Sequence, residues 1–193
     1  MLTTDRLELR PFEDRDLPFL IDLMAHAEVV KYLGGDGLPR TEEATRTWYG
    51  HMRNAYEEGL GHWLVIRRSD GQRLGRCGLW RFLVEKGPLR RATWTHDGSG
   101  PPDPELPQES VIEIGYTFHR PFWGEGHATE AARAWRDRAF ETLDVESVSS
   151  FVHPENTGSA RVAEKNGMTV LERIRYDPIV VDRHRIRREE WKG

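Results

Sequence analysis

Two stretches of this sequence carry residue types that could do chemistry. In the run 111–118, Ile112, Ile114, Tyr116 and Phe118 alternate and would share one face of a strand, which leaves Glu113 and Gly115 on the other. A carboxylate in mid-strand must be desolvated or paired. Desolvation raises its pKa towards neutrality and suits a general base; the competing readings are an ion pair with an arginine or an edge-exposed acid. Shortly after, Gly124-Glu125-Gly126 opens into a segment where Ala128, Ala131, Ala132, Trp135, Ala139 and Leu143 recur at helical spacing. The first amides of a helix lack partners and sit at the positive end of its dipole, and glycines let a bulky anion approach them. Strand, glycine turn and helix together form an arrangement that binds a diphosphate, although many Gly-x-Gly turns bind nothing. The dinucleotide pattern G-x-G-x-x-G is missing, because Thr129 stands at its third glycine, and no Gly-Lys-Ser/Thr follows. A nicotinamide cofactor in its usual fold and a nucleoside triphosphate are therefore not expected. His119 and His127 are alternative acid–base groups, each also readable as a surface or capping residue.

The elements that must position these residues are legible in outline. Leu7 and Leu9 alternate with charged neighbours, and Pro11 ends that strand. A helix with Leu17, Leu20, Ile21, Met24 and Ala27 on its apolar face follows. Thr41 can cap a second helix whose apolar stripe is Ala44, Trp48, Met52, Ala55 and Tyr56. Residues 63–67 and 73–84 read as a hairpin about Asp70-Gly71, with Gly75 and Gly78 weakening the second strand or marking bulges. Segment 85–110 is rich in proline and glycine and carries Asp97, Asp103, Glu105 and Glu109. It reads as a solvated flap or as an acidic lid that favours a cationic amine. Residues 145–152 read as a strand. Asn156 can cap a short helix ended by Asn166-Gly167, and two strands close the chain. In the last of these, Arg183, Arg185 and Arg187 alternate with His184 and Ile186, which favours a solvated face over a nucleic-acid patch.

Composition narrows the classes. The 193 residues carry a formal charge of −4, against a general nucleic-acid binder. One cysteine, Cys77, allows neither an intrachain disulfide nor a cysteine zinc cluster, and reads as a buried small residue. No run approaches the roughly 20 apolar residues of a membrane span, and no leader is evident, so a cytoplasmic protein with no membrane partner is expected. The order of elements predicts an α/β fold over a single domain, 1–193, with helices on both faces of a mixed sheet.

Trp123-Gly-Glu-Gly-His-Ala-Thr-Glu-Ala131 resembles the acetyl-coenzyme A loop of the GNAT acetyltransferases, whose form is Gln/Arg-x-x-Gly-x-Gly/Ala. Gly126 and Ala128 fill the small positions, and Trp123 stands where Gln or Arg is usual. That tryptophan form is similar to the branch containing the ribosomal-protein N-terminal acetyltransferases. The stretches 3–11, Glu113-Ile114-Gly115-Tyr116, Asn156–Ser159 and Glu164–Met168 resemble further elements of that branch, in the same order. The resemblance spans nearly the whole chain.

The resemblance implies a mostly antiparallel sheet splayed between its fourth and fifth strands, and acetyl-coenzyme A as co-substrate with no metal. The coenzyme would meet Trp123, Gly124, Gly126, His127, Ala128 and Thr129 at the turn, Tyr116 and Phe118 on the strand, and Asn156 and Ser159 at the later helix. Backbone amides near Phe118 would hold the acetyl carbonyl, and Glu113 would deprotonate the acceptor amine. The helical pair would lie over the acceptor, so that Trp48, Tyr49 and Tyr56 touch it. Much of the family has a tyrosine seven residues after the capping asparagine; Ala163 stands there, so Ser159 is the nearest hydroxyl for the departing thiolate. The acceptor would be a peptide N-terminus or a small-molecule amine, and the protein a monomer or homodimer. The alternative is a non-catalytic acyl-coenzyme A sensor.

Overall fold

The structure is a computed structural model that describes residues 1–34, 36–86, 91–94, 107–176 and 178–193. Its elements in chain order are β1 (Leu2–Thr3), β2 (Leu7–Pro11), α1 (Leu17–Ala25), α2 (Ala27–Val30), α3 (Glu42–Ala55), β3 (Gly61–Arg67), β4 (Arg73–Glu85), β5 (Ala92–Trp94), β6 (Gln108–Phe118), α4 (His127–Thr142), β7 (Ser147–Val152), α5 (Thr157–Lys165), β8 (Thr169–Tyr176) and β9 (Ile179–Arg187).

The described strands form one sheet in the order β1-β2-β3-β4-β6-β7-β9-β8, with β5 beside β4. Every pairing is antiparallel except β6 with β7, which α4 connects. Parallel neighbours need such a crossover, and the chain supplies a helix for it. Successive strand residues point to opposite faces. His62 meets Trp48 of α3, at 6.2 Å between ring centroids, while the adjacent Trp63 meets Trp135 of α4 at 4.8 Å. Thus α3 and α4 cover opposite faces, as the α/β expectation required. Trp135 is fully buried; truncating such a side chain costs about 3–5 kcal/mol.

Local expectations hold where the signal is local. Leu7 and Leu9 are buried. The Thr41 hydroxyl accepts from the Ala44 N–H, and the Asn156 side chain accepts from the Ser159 N–H. Asp70-Gly71 turns the β3–β4 hairpin with Gly71 at φ 71°. The β3–β4 register shifts between Val65 and Ile66, beside Gly75.

Three expectations are corrected. The buried stripe of α3 is Thr45, Tyr49, Met52 and Ala55, not one that begins at Ala44. Arg183 is 1% exposed and donates to Ser149, Glu172 and Glu109. It is not on a solvated face, because Ser149, Glu172 and Glu109 of other strands close around its guanidinium. Glu109 is part of β6 and pairs with Arg183, so it is not a lid residue. Asp97, Asp103 and Glu105 lie outside the described residues. No helix among the described residues is long and apolar enough to cross a membrane.

Candidate active site

The site forms where the one parallel pairing fails. β6 and β7 are in register only at Ile112↔Val148 and Glu113↔Ser149. Past that point the strands part, and the Ser150 hydroxyl donates to the Ile114 carbonyl at 2.8 Å across the gap. The gap opens into a cleft of about 710 Å³, with Glu113 at its apex. The His119 N–H bonds the Leu74 carbonyl, which sets the phase of the β4–β6 ladder. Bonding in an antiparallel ladder alternates, so Ile114, Tyr116 and Phe118 turn their backbone groups away from β4, towards the gap.

One end of the cleft is built from backbone. Gly124 and Gly126 both have φ 82°, a left-handed conformation that side chains disfavour. Gly126 is the N-cap of α4 and has no side-chain cap bond. The first backbone bond into the helix runs from the Glu130 N–H to the Gly126 carbonyl. Among the described residues, no carbonyl or side chain accepts from the amides of 124–129. Arg6 instead donates to the Glu125 carbonyl and to Glu130, fixing the turn from behind. A Cβ on Gly124 would meet open space. The amides therefore fit a diphosphate. Trp123 donates from Nε1 to the Phe118 carbonyl at 2.7 Å, with the Arg120 guanidinium 4.8 Å from its ring centre. His127 is 2% exposed, and its Nδ1 has no hydrogen-bond partner. Ala128, Thr129, Asn156 and Ser159 line the same end, as do Arg161 and Lys165, two cations on α5 that the sequence reading passed over. The Tyr116 hydroxyl donates to the Ser159 carbonyl at 3.2 Å, and burial raises its pKa. Ala163 is buried and offers no hydroxyl.

The other end is built from side chains of β3, β4, β6, α3 and β8 and of the loop before α3. Glu113 is 8% exposed, and burial pushes its pKa up to about 8 against the opposing pull of the Phe151 N–H and Arg76. Gly115 keeps the approach open: a Cβ there would lie 2.8 Å from His62 Nε2 and 3.1 Å from Glu113 Oε2. Arg76 donates from Nη1 to His62 Nδ1. An arginine cannot accept, so the imidazole proton sits on Nε2, which has no protein partner among the described residues. Burial, then Arg76, holds His62 well below its ordinary pKa, so it is neutral. The Arg76 guanidinium lies 4.5 Å from the Trp48 ring centre, and Trp48 meets Trp80 edge-on at 5.7 Å. Arg40 and Tyr176 line both the cleft and an adjoining recess.

The sequence reading is corrected at several positions here. Trp48 lines the cleft, but Tyr49 and Tyr56 do not. Tyr49 is buried and donates to Asp14, while Tyr56 donates to the His62 carbonyl and accepts from the Phe12 N–H. His119 is outside the cleft, 3.3 Å from Asp22 and edge-on to His26. Asp22, His26 and His119 bring ligand-type atoms within 4.8 Å of one another, a grouping that the sequence spacing does not reveal. The Cys77 thiol is buried and pushed well above its ordinary pKa, mainly by burial, so it stays protonated. His62 and Arg76 were missed. Arg76 lies in the run 73–84 and His62 just before the run 63–67 of the expected hairpin, and only the register, Trp63↔Cys77 and Arg76↔Thr117, brings them to Glu113.

Residues 6–169 match the family model described as acetyltransferase (GNAT) domain. An uncharacterized Bacillus subtilis protein, YkkB, is 33% identical over 176 residues, covering 90% of this chain and 88% of its own. The FsC-acetyl coenzyme A-N(2)-transacetylase of Aspergillus fumigatus is 28% identical over 201 residues, covering 98% of this chain and 77% of its own. A crystal structure of an acetyltransferase from Agrobacterium tumefaciens superposes with a TM-score of 0.70 at 30% identity, covering 97% of this chain and 94% of the other.

Proposed function

The chain belongs to the GNAT acetyltransferase domain family, and from that premise we propose that it moves an acetyl group from acetyl-coenzyme A to a primary amine by direct attack, with Glu113 as base. The observation that carries this reading is the desolvated carboxyl of Glu113 at the apex of a cleft whose far end presents unpaired helix amides.

Acetyl-coenzyme A supplies an activated thioester, whose acetyl carbon the amine attacks and whose sulfur leaves. The amides of Gly126 to Thr129 receive the diphosphate, and Arg161 and Lys165 add positive charge nearby. The gap-facing amides of Tyr116 and Phe118 are placed to steady negative charge on the acetyl oxygen. Glu113 takes the amine proton as the new N–C bond forms and the C–S bond breaks. The Ser159 hydroxyl, within hydrogen-bond reach of the buried Tyr116 hydroxyl, donates to the departing sulfur. His62 Nε2–H faces the same space and orients the acceptor. The single sheet joining β1 to β9 supports reading 1–193 as one domain.

The acceptor is a peptide N-terminus or a small-molecule amine. The tryptophan-containing loop supports an acceptor like that of the ribosomal-protein branch, and the name of the fungal relative, an acetyl coenzyme A-N(2)-transacetylase, supports transfer to nitrogen. Ala163 is the feature that favours a non-catalytic sensor, whereas a base poised near pH 8 favours turnover. Free-thiol release with a panel of amines tests the reading. Turnover that falls about 10²-fold or more in Glu113→Gln is expected. Tight coenzyme binding with no turnover on any amine would support the sensor instead.

A further inference from the structure

Among the described residues, the acceptor end carries two guanidiniums, Arg76 and Arg40, and no carboxylate forms an ion pair with either. Arg76 is 5% exposed, and its Nε has no partner. One face of its guanidinium is against Trp48 and its Nη1 is on a neutral imidazole; the carboxyl that acts on its charge is that of Glu113. Arg40 enters from the loop before α3. Its side chain has no hydrogen-bond or ion-pair partner among the described residues, and its charge repels that of Arg76. The acids nearby do not compensate. Glu113 is protonated at neutral pH. Glu43 lines the outer recess without an ion pair to Arg40. Glu28 and Glu155 belong to the wall near His119 and Lys31.

Unpaired buried charge is costly unless a ligand completes it. A planar guanidinium beside a second cation suits an oxyanion held by two or more charge-assisted bonds. We infer that the acceptor is an amine bearing its own anionic group, a carboxylate or a phosphate, which Arg76 and Arg40 receive while the amino group faces Glu113 and His62. This rests on the acetyltransferase reading and narrows it. It also reverses the preference for a cationic amine that an acidic lid would give. The aromatic pair Trp48 and Trp80 then packs the stem between the two groups.

The test uses matched amines on the full chain: amino acids against their carboxamides, and aminoalkyl phosphates against the corresponding amino alcohols. The anionic member of at least one pair is expected to have a kcat/KM about ten-fold or more above its neutral partner. Arg40→Gln should collapse that ratio to about two-fold or less through KM. Which pair responds tells carboxylate from phosphate. Equal or better use of neutral or polycationic amines, or a ratio unmoved in Arg40→Gln, overturns the inference while leaving the transferase reading intact. Calorimetry with the same compounds in the presence of coenzyme A separates the two failures. Anion-dependent binding that Arg40→Gln abolishes, with no turnover, upholds the anion site and overturns the transferase reading. Neither binding nor turnover of any anionic amine overturns the inference.

Discussion

The two ends of the cleft are made by different means. At the start of α4 the working groups are backbone amides, contributed by one uninterrupted stretch, 124–129. Around Glu113 they are the side chains of His62, Arg76, Trp48 and Arg40, brought together from β3, β4, α3 and the loop before it. A backbone site needs only glycines with the right φ and a helix behind them. A side-chain site depends on strand register and helix phase. The first kind tolerates change in its side chains but not in its backbone; the second kind behaves in the opposite way.

Gly126→Pro puts that contrast to its strongest test. Proline cannot adopt φ 82° and has no N–H, so coenzyme A affinity should drop by about 100-fold or more, read by calorimetry on a variant whose circular dichroism is unchanged. Wild-type affinity would remove the donor end from the account. Glu113→Gln should lower kcat/KM by about 10²–10³-fold with coenzyme affinity intact. If both fall together, the two ends are not separable. The pH dependence comes next. A base must be deprotonated, so kcat/KM should rise with pH through about 8 and then level off, and Glu113→Gln should lose that rise. The same group has a folding signature. Its folded pKa lies above the ordinary carboxyl value, so its contribution to stability is fully present below about pH 4.5 and is lost as pH rises through about 8. Glu113→Gln should therefore gain melting temperature relative to wild type at pH 9 more than at pH 5. Smallest, Asn156→Ala removes the cap of α5 and should cost about 1 kcal/mol in chemical denaturation, with a modest rise in coenzyme KM.

The legibility of the chain follows the same division. The glycine turn, the caps at Thr41 and Asn156 and the strand carrying Glu113 are local patterns, and each stands where its residues put it. Tyr56 follows α3 and bonds the His62 carbonyl, while Tyr49 was misplaced because α3 carries two stripes one residue apart. Ala44–Trp48 and Thr45–Tyr49 fit a helical period equally well, and only packing against the sheet chooses the second. Arg183 was misread because alternation reveals which residues share a face but not which side chains of other strands will pack on that face. Arg76 and His62 had no motif to announce them. They are fourteen residues apart across a hairpin, and a register shift at Val65/Ile66 helps decide what faces what.

The base of the long insertion before β6 is stitched shut. The Lys86 N–H donates to the Pro107 carbonyl at 2.8 Å, and the Glu85 N–H to the Arg91 carbonyl at 2.9 Å. The β4–β6 pairing is therefore closed at Glu85↔Gln108, with β5 paired to β4 inside the segment, and loop closure there depends only weakly on length. Added chain between β5 and Pro107 leaves the β4–β5 and β4–β6 pairings untouched, which makes that stretch a natural point for inserting tags or sensors by design.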